Sequence, residues 1–160
     1  MLTEISLEGL PSLPLTPAAN EFLRDGRARM KKVKCFDFVP SNYENAWRML
    51  SQLERGRFCE WGSGMGIVAG LAELLSFDAT GVELDADLAE SARALLHDHG
   101  LKSEILTGDY FEIPCAADVV YVYGWPGQLL QIEEHFCETY PASARLLMCY
   151  GQEDLRCMAR

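Results

Sequence analysis

The feature that most narrows the fold is the alternation of short apolar runs and helical periods between residues 57 and 150. Arg57 to Trp61 reads as a strand and Gly66 to Ser76 as a helix. Ala79 to Leu84 is again a strand, Asp87 to Asp98 a helix and Ser103 to Thr107 a strand. Val119 to Tyr123 is a strongly apolar strand, Gln128 to Glu138 a helix and Arg145 to Tyr150 a last strand. Parallel neighbours need a crossover between them, and a helix is the crossover that also covers a face of the sheet. The expected fold is therefore α/β: a doubly wound, mostly parallel sheet. Only ten residues follow Tyr150, so that sheet is expected to be shortened at its C-terminal end.

Residues 1–40 read differently, as an N-terminal arm and a basic helix in front of a domain spanning residues 41–160. Pro11, Pro14 and Pro17 interrupt the arm. Asn20 is expected to cap a helix running to about Lys34, and Ser41 or Asn42 to cap a second one. In the second, Tyr43, Ala46, Trp47, Leu50 and Leu53 recur at helical spacing, and Gly56 ends it.

Charge and cysteines limit the partners. The net charge is −10, yet Arg24, Arg27, Arg29, Lys31, Lys32 and Lys34 form a basic cluster. From Cys35 onward 20 acidic residues face 8 basic ones, a balance that repels nucleic-acid phosphates, so no nucleic acid is expected as partner. The six cysteines form no C-x-x-C pair, which argues against a zinc site, and Cys59 and Cys149 lie in apolar runs as buried thiols do. No apolar stretch reaches the roughly 18 residues of a membrane span and the first ten residues lack a basic leader, so a cytoplasmic location is expected.

The chemistry concentrates at three strand ends. Glu60-Trp61-Gly62-Ser63-Gly64-Met65-Gly66 follows an apolar strand and opens a helix. Glycines let such a turn approach a ligand closely, and free N–H groups at a helix start favour an anionic group. Glu83, with Leu84 after it, closes the second strand, where an acid accepts both hydroxyl protons of a ribose. Asp109 follows the third strand; its carboxylate suits an adenine amino group, with Tyr110 or Phe111 over the ring. A dinucleotide fingerprint that starts at Gly62 needs glycine at its sixth position, where Ile67 stands, and no G-x-x-x-x-G-K-[ST] loop exists. Glu60 would repel a pyrophosphate and suits an ammonium group. S-adenosyl-L-methionine, with amino acid, sulfonium and adenosine, fits all three acids.

These residues resemble the class I S-adenosylmethionine-dependent methyltransferases, whose fold is Rossmann-like. The similarity spans about Phe38 to Tyr150, with Glu60–Gly66, Glu83 and Asp109 as its first three motifs. Two further pieces resemble the short protein-lysine methyltransferases related to the ATP synthase c-subunit enzymes. They are Phe38-Val39-Pro40-Ser41 and Tyr123-Gly124-Trp125-Pro126. The resemblance implies that Phe38 and Ser41 lie over the cofactor and that Tyr123, Trp125 and Pro126 line the methyl-transfer site. It implies cofactor contacts from Glu60, Gly62, Ser63, Gly64, Gly66, Glu83, Leu84, Asp109 and Tyr110. The acceptor it implies is a protein lysine. A small metabolite as acceptor, or a binding protein without catalysis, are the alternatives, and Trp125 could equally be buried at its strand end. The usual final two strands of the superfamily have no room after Tyr150. Residues 145–150 are thus expected at or near an edge, open to the tail, the arm or a second copy of the chain in a homodimer.

Overall fold

The computed structural model describes residues 1–34 and 40–160. The basic cluster spans the second half of a helix, α1 (Pro17–Met30), and the residues just after it. Thr16 caps it, its side chain accepting from the Ala19 N–H, and Pro17 takes the first helical position. The expectation of an Asn20 cap is corrected by this pair: a proline has no N–H to lose at the first turn, so it starts the helix here instead of interrupting it. The next helix, α2 (Tyr43–Ser51), is capped by Asn42, which accepts from Asn45 N–H at 3.0 Å. It stops before Gly56, at the Gln52 cap.

The predicted alternation then follows. It consists of β2 (Arg57–Trp61), α3 (Ile67–Leu74), β3 (Asp78–Glu83), α4 (Ala86–Asp98) and β4 (Glu104–Thr107). After a loop come β5 (Val119–Tyr123), α5 (Leu129–Thr139) and β6 (Arg145–Cys149). Two more strands lie outside this series: β1 (Thr3–Glu4) and β7 (Leu155–Ala159). The sheet order is β1-β7-β6-β5-β2-β3-β4. The five strands from β6 to β4 are parallel, whereas β7 runs antiparallel to β6 and β1 antiparallel to β7. This is a Rossmann-like α/β sheet whose order reverses between β2 and β5, the switch point at which such sheets bind ligands.

β6 lies two strands in from the edge, and what covers it is two of the three expected coverings, the tail and then the arm. The strand is internal, flanked by β5 and β7. A turn at residues 150–154 brings the tail straight back, and the N-terminal β1 then pairs on the outside, Thr3 opposite Ala159. The two strands that the resemblance leaves no room for come from opposite ends of the sequence. The edge that motivated a homodimer is thus already paired.

Alternation along each strand sorts the core into two faces. Phe58, Val119, Tyr121 and Leu147 face α1, α2 and α3, whose Phe22, Leu23, Trp47, Leu50 and Leu71 fill that side. Cys59, Trp61, Val120, Val122 and Leu146 face Ile132 and Phe136 of α5. Because Ala19, Phe22 and Leu23 are buried in the same cluster as the sheet, α1 is packed into this core. The arm is laid across α2 by side chains: Trp47 Nε1 donates to the Leu13 carbonyl, and Gln52 Nε2 to those of Leu7 and Leu10. Asp118 lies at the N-terminal end of β5, the sheet end away from the glycine turn, where it pairs with Arg57 at 2.8 Å. No helix among the described residues is long and apolar enough to cross a membrane.

Candidate active site

The glycine turn between β2 and α3 is held by main-chain bonds. Gly62 and Ser63 N–H donate to the Val82 carbonyl at 2.8 and 2.9 Å, which ties the turn to the neighbouring strand. Gly62, Gly64 and Gly66 all have φ between +55° and +71°, the left-handed region that costs a residue with a side chain. Alternate glycines are therefore what lets the chain leave β2 and enter α3 in so few residues.

Glu83 locks this turn. Its Oε2 accepts from Gly64 N–H at 2.6 Å and its Oε1 from Asp85 N–H at 3.0 Å. One carboxylate at the end of β3 thus fixes both the glycine turn and the entry to α4, whose own cap is Asp85. Each oxygen keeps further lone-pair capacity for a ligand. The Asp109 carboxylate folds back onto Phe111 N–H at 2.9 Å and shapes the loop after β4. That loop presents Tyr110, whose ring stacks on Trp61 with centroids 5.0 Å apart and planes 5° apart.

These elements enclose a cavity of about 780 Å³ at the C-terminal ends of the parallel strands. Its walls include Ser41, Glu60, Gly62, Ser63, Gly64, Glu83, Leu84, Asp109, Tyr110, Tyr123 and Trp125, so most of the residues singled out from sequence meet in one place. Volumes of 300–1,000 Å³ are typical of small-molecule sites. Three residues depart from that set. Gly66 does not line the cavity; a Cβ there would sit 3.2 Å from Ala92 and Ile105, so it serves the fit of α3 against α4 and β4. Pro126 is exposed and outside the lining. Phe38 falls outside the described residues. Trp125 is not a core residue: 42% of it is exposed at the cavity mouth, and its ring meets Tyr123 edge-on at 5.9 Å.

The floor has side chains that the sequence did not assign to the site. Tyr43 and Tyr121 line it, and the Tyr121 hydroxyl lies 3.0 Å from Cys149 Sγ. Period-two spacing from Tyr123 was the available signal for Tyr121, since alternate strand residues share a face. Burial raises the hydroxyls of both Tyr43 and Tyr121 well above their usual range, so both stay protonated. Burial also pushes Tyr110 up to about 12, helped by the Asp109 carboxylate. Glu60 is 5% exposed. Its Oε2 accepts from Ala69 N–H at 2.8 Å in the first turn of α3. Desolvation holds its carboxyl well above the carboxylate range; the Ala69 bond opposes this and the nearby Glu83 charge adds to it.

The donor set suits a nucleoside joined to an ammonium-bearing chain. Glu83 keeps acceptor capacity of the kind a diol needs, aromatic rings line the same cavity, and a second, buried acid lies beside the glycine turn. Ser63 supplies an independent sign: it lines the cavity, is 4% exposed, and its Oγ is buried without a hydrogen-bond partner among the described residues. Buried hydroxyls are rarely left so unless a ligand or water completes them. Among the described residues, no group of three or more His, Cys, Asp or Glu side chains is placed to hold a metal ion.

No protein-family model matches the sequence, and no curated protein matches it. Solved structures do. A methyltransferase from Geobacter sulfurreducens is 16% identical, with a TM-score of 0.65 over 96% of this chain and 94% of the other. An RNA methyltransferase from Salinibacter ruber, solved with S-adenosyl-L-homocysteine, is 22% identical, with a TM-score of 0.63 over 75% of this chain and 91% of the other. The chain has the fold of these methyltransferases. A third, S-adenosylmethionine-dependent methyltransferase from Thiobacillus denitrificans, was also solved with S-adenosyl-L-homocysteine. It is 19% identical at a TM-score of 0.52, covering 88% of this chain but only 51% of its own length.

Proposed function

We propose that the protein is an S-adenosylmethionine-dependent methyltransferase whose acceptor is a lysine amine of another protein. The observation that carries the reading is the joint placement of Glu83, the glycine turn and the unpartnered Ser63 hydroxyl in one cavity at the switch point. Glu83 would hold the ribose hydroxyls, Asp109 and the Tyr110 wall the adenine, and Glu60 the ammonium. When bound, the cofactor supplies a methyl group made electrophilic by its sulfonium. The protein's share is then to align the acceptor with that methyl and to keep water away. Tyr123 and Trp125 form the aromatic side of the mouth, which suits a cationic side chain entering from solvent. Passage between such rings also strips water from the amine, which favours loss of its proton and frees the nucleophilic lone pair.

Two measurements test this. In calorimetry, S-adenosylhomocysteine is expected to bind at micromolar concentration and NAD not to bind. With methyl-labelled cofactor and a cell lysate, label is expected in protein, at lysine. NAD binding without S-adenosylhomocysteine binding overturns the reading at its root, and label found only in small molecules overturns the acceptor class. Trp125→Ala is expected to lower turnover more than cofactor affinity, because the ring stands on the acceptor side of the mouth.

A further inference from the structure

His135 lies in α5, a helix that contributes only Gln128, at its cap, to the cavity lining. Its side chain nonetheless reaches the loop after β4. Nε2 is 3.3 Å from the carbonyl oxygen of Tyr110. The imidazole also lies 5.2 Å from the Trp61 ring and meets the Phe111 ring edge-on at 5.1 Å. A carbonyl oxygen can only accept, so Nε2 carries the proton in this contact.

The consequence concerns Tyr110. This residue forms a cavity wall and stacks on Trp61, and Asp109 and Phe111 flank it. The Asp109 carboxylate fixes the loop through Phe111 N–H. His135 fixes it a second time, from α5, through the Tyr110 carbonyl. A two-point hold decides where the ring and the carboxylate stand before any ligand arrives, and preorganised walls bind more tightly than walls that must be ordered on binding.

We propose that His135 is a positioning residue for the nucleoside part of the cofactor, acting through the Tyr110 carbonyl and not by touching the ligand. The proposal rests on the methyltransferase reading above. Its test uses S-adenosylhomocysteine and adenosine as probes in calorimetry with the wild type, His135→Phe and His135→Gln. Phenylalanine keeps a ring against Trp61 and Phe111 but has no donor; glutamine places an amide N–H near the Nε2 position. His135→Phe is expected to weaken both probes by about fivefold, the worth of one ordinary hydrogen bond. It is expected to leave turnover at saturating cofactor unchanged. His135→Gln is expected to recover most of the affinity despite lacking the ring. Wild-type affinity in His135→Phe overturns the proposal. So does an equal loss in both variants, which would show that ring packing alone matters. Should His135→Phe not fold, the glutamine variant decides: wild-type-like affinity supports the hydrogen bond, and a loss of fivefold or more overturns it. Absence of binding to the wild type is a separate result, since it defeats the methyltransferase reading itself.

Discussion

Two acids beside one glycine turn behave differently because their surroundings differ. Glu83 ends a strand with two N–H donors on its carboxylate, while Glu60 is sunk behind the turn with one. Bonds from N–H groups to a charged acceptor are worth about 1.5–3 kcal/mol each. Glu83→Ala therefore removes both the proposed ribose acceptor and the lock on Gly64, and S-adenosylhomocysteine affinity is expected to fall tenfold or more while the circular dichroism stays native. An unchanged affinity in the folded variant would remove Glu83 from the site. Glu60 makes a prediction with a sign. Burial raises its pKa in the free protein, so it carries a proton over a range in which an exposed glutamate is ionised. A ligand ammonium favours the ionised form and lowers that pKa. Binding should then release a proton, and affinity should rise with pH between the bound and free values. Calorimetry in two buffers of different ionisation enthalpy reads the proton directly, and Glu60→Gln should abolish the release.

At the scale of elements, the sequence was most legible where the signal is local and repeated. The strand–helix alternation from Arg57 to Cys149 appears in the structure within two residues at every boundary, because apolar periodicity is imposed by burial of the same residues. The acids at strand ends were legible for the same reason: once the strands are placed, their C-terminal ends are too. What stayed hidden depends on partners distant in sequence. Thr3–Glu4 is too short to register as a strand and exists through its pairing with Met158 and Ala159. Leu155–Ala159 becomes a strand because Leu146 to Cys149 offers an open ladder beside it. The contact between His135 and Tyr110 joins residues 25 apart on different elements, and no periodicity marks it. The start of α1 was legible in principle. Thr16-Pro17 is a cap followed by a residue suited to the first turn, while Pro11 and Pro14 just before it carry the signature of an irregular arm. That helix supplies the next prediction. Thr16→Ala removes the acceptor for Ala19 N–H and should cost about 1 kcal/mol of stability by denaturant titration, while Asn20→Ala should cost little.

The whole molecule is best judged by its sheet edges, since an unpaired ladder is what invites a second copy. With β6 enclosed, the two outer strands are β1 and β4. The described β1 is two residues long, a poor template for pairing. β4 spans Glu104–Thr107, and its outer side is occupied by an arginine from α4. Arg93 Nη2 donates to the Ile105 carbonyl at 2.7 Å and to Thr107 Oγ1 at 2.8 Å, and Nε donates to the same carbonyl at 3.1 Å. A guanidinium seated on the strand's free carbonyl both uses the acceptor and places a positive charge where a partner strand would lie. Natural sheets blunt exposed edges with charge in this manner. Neither edge then drives self-association, and the net charge of −10 opposes it further. The protein is expected to sediment as a monomer at micromolar concentration in moderate salt. Removing the blocking charge with Arg93→Ala should promote concentration-dependent association. A wild type that sediments as a stable dimer would show that some face other than the sheet edges joins two copies.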